Sequence, residues 1–366
     1  MARVLVAMSG GVDSSVAAAL LVEQGHEVIG ATMRLFCYGE GPVPDRPCCS
    51  LDSIRDAQGV AERLLIPHYV LDLEDRFHRD VIADFVSEYA RGRTPIPCVR
   101  CNSFTKFGDL LAHAEALGCD AIATGHYARA ENGRLFRGLD RAKDQSYFLW
   151  GIRRDVIAKM MTPVGNLSKE ETRDVARRLG LATAEKSESQ EICFVPDGDY
   201  VAVLARHLPA GAPALSPGPI VTSSGEVIGA HEGYARYTIG QRRGLPGGAA
   251  HPRFVVGLRP QTREVVVGDD ADLAAHSVAI EDVNWLADPL DDGAQCEIQI
   301  RSRSRPVTAF VAMCYGESVS PVDEGPVGAI PRTLTVRLAE PARAVAPGQS
   351  GVLYRGDQVL GGGVIA

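Results

Sequence analysis

Ser9-Gly10-Gly11-Val12-Asp13-Ser14-Ser15 packs glycines, hydroxyls and a carboxylate into one short stretch. The apolar run Val4-Leu5-Val6-Ala7-Met8 before it reads as a buried parallel strand, and Val16-Ala17-Ala18-Ala19-Leu20-Leu21 behind it reads as a helix. A strand, a glycine turn and a helix start together make an anion site. Glycines let backbone N–H groups approach the ligand, the helix start adds partial positive charge, and hydroxyls close round phosphate oxygens. No Gly-Lys-[Ser/Thr] follows, so the turn is not a P-loop of the kinase type. The plainer alternative is a glycine-rich βα turn with a capping serine.

Cysteine supplies the second chemistry. Cys98 and Cys101 lie in Pro95-Ile96-Pro97-Cys98-Val99-Arg100-Cys101-Asn102. Two prolines predict an extended loop before Cys98, and helix-like sequence follows Asn102. Asn102 or Ser103 as the helix cap would put Cys101 at a helix start, which lowers a thiol pKa, and Arg100 acts in the same direction. A Cys-x-x-Cys fits redox, metal and persulfide chemistry equally well. Cys193, between Ile192 and Phe194, is either a buried core cysteine or a chemical one. The adjacent Cys48-Cys49 in a Pro-rich loop reads as structural. Cys37, Cys119, Cys296 and Cys314 stand singly among apolar neighbours and read as inert.

The elements that must position these groups follow from hydrophobic pattern. Glu27–Met33, Pro67–Asp72 and Asp120–Thr124 read as further strands; residues 51–65, 81–89 and 104–117 read as helices. Alternating strands and helices at this spacing predict an α/β fold with a doubly wound parallel sheet, whose ligands bind beyond the C-terminal strand ends. The Ser9–Ser15 loop, Met33 and Gly125-His126 all fall there. After the Pro/Ala/Gly-rich stretch 209–219 the chain becomes a series of short β-segments. The expected divisions are a nucleotide-binding and catalytic domain over 1–205, a small β-rich domain over 206–275 and a C-terminal β-barrel-like domain over 276–366.

The 366 residues carry a net charge of −8, with 45% hydrophobic and 23% charged residues, an ordinary balance for a globular protein without a membrane span. Nine cysteines without an export leader point to a reducing cytoplasm. The acidic total gives no hint of a nucleic-acid partner, although local basic patches override a net sign. Arg301, Arg303 and Arg305 would share one face of a strand, and Arg236, Arg242 and Arg243 form a second basic group. Either could meet RNA phosphates or be a solvated polar face.

Ser9–Ser15 resembles the pyrophosphate loop of the ATP-pyrophosphatase, or adenylating, enzymes. Taken with Cys98–Asn102, Thr124-Gly125-His126-Tyr127-Ala128, Lys143–Leu149, Ser189–Phe194, Tyr237–Leu245 and Ala346–Gln349 in this order, essentially the whole chain is similar to the tRNA-specific 2-thiouridylases. The resemblance implies an adenine nucleotide α-hydrolase-like first domain. It implies an ATP site lined by Ala7, Met8, Ser9, Gly10, Gly11, Val12, Asp13, Ser14, Met33 and Gly125, with Asp13 helping to hold Mg²⁺. It implies tRNA contacts at His126, Lys143, Asp144, Gln145 and Gln349. Cys193 would hold a persulfide delivered by a sulfur-relay protein or a cysteine desulfurase, and Cys101 would be its partner or nucleophile. A Cys101–Cys193 disulfide would then need reduction.

One position departs from many family members, which carry an aspartate where this chain has Cys98. Either Cys98 is a spare or resolving thiol beside a metal-free persulfide relay, or Cys98, Cys101 and Cys193 hold a 4Fe–4S cluster with one open iron. Two other functions compete: a ligase of the same adenylating group acting on a small molecule, and an RNA-binding sulfur carrier or cluster scaffold. The thiol set argues against the first, and the intact Ser9, Asp13 and Ser14 argue against the second.

Overall fold

Five parallel strands carry the first part of the chain in a computed structural model that describes residues 1–35, 51–187, 192–195, 198–246, 251–312 and 333–366. Cys37, Cys48, Cys49, Cys314 and the Ser189-Gln190-Glu191 portion of one motif lie outside these residues. The elements run β1 (Arg3–Ala7), α1 (Val12–Glu23), β2 (Glu27–Arg34), α2 (Leu51–Leu64) and β3 (His68–Asp72). A helix follows as α3 (Glu74–Phe77), a π-helical turn (His78–Ile82) and α4 (Ala83–Ala90). A second is built alike, from α5 (Pro97–Arg100), a π-helical turn (Cys101–Lys106) and α6 (Phe107–Ala116). Then come β4 (Ala121–Ala123), the hairpin β5 (Ala128–Glu131) and β6 (Arg134–Arg137), α7 (Arg154–Ala158), β7 (Met160–Met161), α8 (Lys169–Arg178) and α9 (Tyr200–His207).

The sheet order is β3-β2-β1-β4-β7, every pair parallel, as the α/β reading expects. From β1 the chain winds outward through β2 and β3, then returns to place β4 on the other side of β1. The topological switch point therefore lies between β1 and β4, where the loop after β1 faces the segment after β4. Val4 and Val6 of β1 and the run Ala17-Ala18-Ala19 of α1 are fully buried in one cluster with Ala123, Val164 and Ala176. Alanine on the inner faces of α1 lets its backbone press close, so the helix start is held firmly under the loop.

The chain divides into two compact units. One comprises Met1–Asp84, Pro97–Tyr200 and Asp357–Val359; the other comprises Phe85–Ile96, Val201–Gly356 and Leu360–Ala366. The second contains a four-stranded sheet of β8 (Gly218–Thr222), β9 (Val227–His231), β10 (Phe254–Arg259) and β11 (Glu264–Gly268) in the order β10-β11-β8-β9. It also contains β12 (Ala274–Trp285), β13 (Gln295–Gln299), β14 (Val307–Ala312), β15 (Thr333–Arg343), β16 (Ser350–Arg355) and β17 (Gln358–Ile365). These six run β12-β15-β14-β13-β16-β17 and close through β12–β17, a β-barrel as expected. In β15 the alternation of Leu334, Val336 and Leu338 with Thr335 and Arg337 sends the apolar set into the barrel core.

Candidate active site

The loop after β1 is held by its own serines. The Ser9 backbone N–H donates to Ser14 Oγ at 3.1 Å, and Ser14 Oγ and Ser15 Oγ donate to the Gly11 carbonyl at 3.1 and 2.8 Å. Gly10 adopts φ +69°, and a side chain there would come within 2.2 Å of the Ser53 carbonyl, so only glycine lets the loop lie against α2. Gly11 is the N-cap of α1, and no side chain caps that helix. This removes the capping-serine alternative: the serines brace the loop, and the helix start keeps its N–H groups for an anion. Ala7 ends β1, Val12 is buried at the start of α1, and the buried Met8 gives its carbonyl to Thr32 Oγ1 at 2.8 Å, one residue before Met33.

Asp13 is held from two sides. Lys169 Nζ lies 2.7 and 2.9 Å from its two carboxylate oxygens, and the Tyr127 hydroxyl donates to Oδ1 at 2.8 Å. Lys169 opens α8, whose start is fixed by a Ser168–Glu171 capping box. On the far side of the loop Lys186 Nζ donates to the Gly10 carbonyl at 2.9 Å and to Asp56 at 2.5 Å. Sequence reasoning missed both lysines. The Ser-x-x-Glu pattern marks a helix start at Lys169, but nothing local says that the helix points at Asp13. Gly125 was anticipated, and it packs against the loop: a Cβ there would lie 2.5 Å from Asp13 C and Ser14 N.

Cys101 is buried and Cys98 exposed. The expected helix start at Asn102 or Ser103 is incorrect, because the helix begins at Pro97, where the fixed φ suits the first helical position. Cys101 therefore lies about one turn inside the helix, in a π-helical turn of the kind that recurs at functional sites. Asn102 caps nothing. Its Nδ2 donates to the Phe148 carbonyl at 3.0 Å and ties the cysteine turn to the 143–149 segment. Cys193 is half-buried, and its neighbour Phe194 meets Phe77 edge-on at 5.6 Å. The two isolated cysteines that are described behave as read: burial pushes the thiol of Cys119 up and that of Cys296 up to about 11.

Three family models span the chain: a tRNA methyl transferase HUP domain over residues 2–197, a tRNA methyl transferase PRC-barrel domain over 202–269, and an aminomethyltransferase β-barrel domain over 275–365. Relatives called tRNA-specific 2-thiouridylase MnmA match along the full length. Those of Geobacter metallireducens and Rhodospirillum rubrum are 47% and 48% identical, each alignment covering 99% of this chain and 96% of the relative. That of Rickettsia typhi is 45% identical over 100% of this chain and 99% of its own length. The chain belongs to the tRNA-specific 2-thiouridylase family. The methyl transferase wording attaches to the domain models, whereas these full-length relatives carry the thiouridylase name.

Within that family the residues carried over as RNA contacts divide sharply. The Asp144 carboxylate is buried and accepts from Arg137 Nη1, Gly138 N, Ser146 N and Ser146 Oγ at 3.0–3.1 Å. Gln145 Oε1 accepts from Tyr127 N at 2.9 Å. Both side chains are engaged inside the protein and shape the segment. His126 is half-buried, shares a 2.8 Å hydrogen bond with Thr124 Oγ1 and lies 5.7 Å from the Phe107 ring. Burial, with the Lys106 charge adding, pushes its imidazole down to about 3, so it is neutral at physiological pH.

In the second unit, the expected strand face at Arg301, Arg303 and Arg305 is incorrect. These residues lie in the turn between β13 and β14, with Arg303 and Arg305 exposed. Arg301 Nη2 donates to the carbonyls of Ala344 and Ile239 at 2.7 and 3.3 Å. Gln349 Nε2 likewise donates to the Thr94 carbonyl at 2.8 Å. Arg301→Ala should therefore lower the unfolding free energy by about 2 kcal/mol and leave tRNA affinity unchanged. Arg303→Ala should leave stability intact and reduce the salt slope of tRNA binding by about one. Paired denaturation and salt-titrated binding curves check both; weaker tRNA binding by the Arg301 variant at unchanged stability would reverse the assignment.

Proposed function

We propose that the chain adenylates O2 of the wobble uridine of tRNA and replaces that oxygen with sulfur carried on Cys193. The observation that supports this most is the α1 start, which no side chain caps, at the switch point where Gly125 packs onto the Ser9–Ser14 loop. Phosphate oxygens of ATP meet the backbone N–H groups of that loop and the α1 start. Asp13 would help hold Mg²⁺, which supplies charge neutralisation for the departing pyrophosphate; one carboxylate plus phosphates suits that ion. Lys169, now on Asp13, and Lys186, on Gly10, bring positive charge to the two sides of the loop. Lys143, His126, Arg303 and Arg305 are the proposed RNA contacts.

Uridine O2 attacks the α-phosphorus of ATP and pyrophosphate leaves, which converts a poor leaving group into AMP. The terminal sulfur of the Cys193 persulfide attacks C2 and AMP departs. The Cys101 thiolate then attacks Cys193 Sγ, the S–S bond breaks, and 2-thiouridine leaves with the electron pair. A Cys101–Cys193 disulfide remains, which an external dithiol must reduce, consistent with a cytoplasmic setting. The persulfide comes from a sulfur-relay protein or cysteine desulfurase. AMP release that requires unmodified tRNA tests this directly, and AMP formed equally well without RNA would contradict it.

Of the two thiol readings, the metal-free persulfide relay is favoured over the 4Fe–4S cluster. Among the described residues no three His, Cys, Asp or Glu side chains converge to hold a metal, and Cys98 is exposed where Cys101 is buried. Cys98→Ser is accordingly expected to keep thiolation within about fivefold of the parent, a change of about 1 kcal/mol. Complete loss of activity together with loss of visible absorbance and iron from anaerobically purified protein would reinstate the cluster. Among the described residues no helix is long and apolar enough to cross a membrane.

A further inference from the structure

Phe104 is 49% exposed, one of few large apolar side chains in solvent among the described residues. It stands in the π-helical turn that opens with Cys101, three residues on, between the buried Asn102 and Thr105. Arg100 lays its guanidinium over the Phe104 ring, 4.5 Å from the centroid, and Arg100 Nε lies 3.5 Å from Asp84 Oδ1. The ring is thus braced from within the protein while about half the side chain faces solvent. A phenylalanine there leaves in water apolar surface that burial would favour.

We propose that Phe104, backed by Arg100, is a stacking platform for an unpaired RNA base next to the uridine whose Cys193 adduct Cys101 resolves. The inference rests on the tRNA-thiolating reading above. Uracil C2 cannot reach sulfur on the half-buried Cys193, nor its adduct the buried Cys101, while the base stays in the anticodon stack, so the uridine must leave it. Its departure strips a stacking face from the neighbouring base. Proteins that splay single-stranded RNA replace such faces with aromatic rings and arginine planes. The Arg100 guanidinium polarises the ring from behind and adds positive charge near the backbone. Stacking is tolerant of base identity, so the platform reads the opened shape of the loop rather than a letter.

The test is anisotropy binding of a labelled anticodon stem-loop to the full chain and to Phe104→Ala, Phe104→Leu and Phe104→Trp. Alanine and leucine should weaken binding roughly tenfold, and tryptophan should preserve it, with melting midpoint and ATP affinity unchanged. On a stem-loop with abasic nucleotides on both sides of the uridine, parent and alanine variant should bind alike. Equal binding of parent and alanine variant on the intact stem-loop overturns the platform. So does a leucine variant as good as the parent, which would indicate plain apolar packing, or a tenfold gap that survives on the abasic RNA. Thiolation of the intact stem-loop by the parent is read separately: binding without thiolation overturns the reaction while the stacking comparison stands.

Discussion

Cys193→Ser is expected to abolish sulfur transfer to tRNA, by roughly 10³-fold or more, while leaving tRNA adenylation, read as tRNA-dependent pyrophosphate release, in place. A serine oxygen cannot carry a persulfide, and the loop after β1 does not depend on it. Cys101→Ser should give an equal loss of product with a different signature. Labelled sulfur should still load onto Cys193, but it should stay on the protein or on an RNA adduct, because no second thiolate is present to break the S–S bond. Burial of Cys101 and half-burial of Cys193 fit such a sequence, since a persulfide in open solvent would be lost to any passing thiol. Mass spectrometry of the intact protein after loading distinguishes the two variants. Persulfide on Cys101 in the Cys193→Ser protein would invert the roles.

The second large effect is expected at Gly125→Ala. A Cβ there would sit 2.5 Å from Asp13 C and Ser14 N and 2.8 Å from the Asp13 carbonyl, all backbone atoms that cannot rotate away. The end of β4 and the start of α1 must separate, which costs about 1–3 kcal/mol of stability as overpacking. The functional cost is larger. Displacing the loop by about 1 Å misplaces the reacting phosphorus and is worth roughly 10²-fold in rate. Asp13 moves with it, and its contacts with Tyr127 and Lys169 stretch. The adenylation step should fall about 100-fold with raised KM for ATP, whereas persulfide loading of Cys193 should be unaffected. An unchanged KM for ATP would mean that this contact does not shape the nucleotide site.

The sheet was legible because β1, β2 and β4 are continuous or nearly continuous apolar runs, the pattern of strands buried on both faces, and the exposed edge strand β3 still carries Tyr69-Val70-Leu71. Their order places the Ser9 loop and Gly125 together, and that much of the site could be read before any coordinates. The hairpin β5–β6 was missed although it carries a clear signal. Asn132-Gly133 sits between short strands, and both residues have positive φ, as a two-residue hairpin turn requires. Pro97 was read as ending an extended loop, yet proline is equally at home at the first helical position, and tertiary packing chose the helix.

Side-chain roles were harder. Whether Asp144 or Arg301 faces RNA or the protein's own backbone depends on partners such as Arg137 and Ala344, and no local pattern encodes that pairing. Lys169 is invisible for the same reason: its partner Asp13 is distant in sequence and meets it only because α8 packs beside α1. Nor does composition announce that residues 85–96 leave the first unit and are counted with the second.

The most direct test is a single incubation of the purified chain with ATP, an external dithiol, a persulfide donor bearing labelled sulfur, and tRNA lacking wobble modification. The nucleosides and nucleotides are then analysed by mass spectrometry. The predicted result is a labelled wobble uridine heavier by the replacement of oxygen with sulfur, formed with AMP in equal amount, and neither product when ATP or tRNA is left out. A tRNA that gains the mass of a methyl group, or a thiolated uridine formed without AMP, would contradict adenylation followed by sulfur transfer.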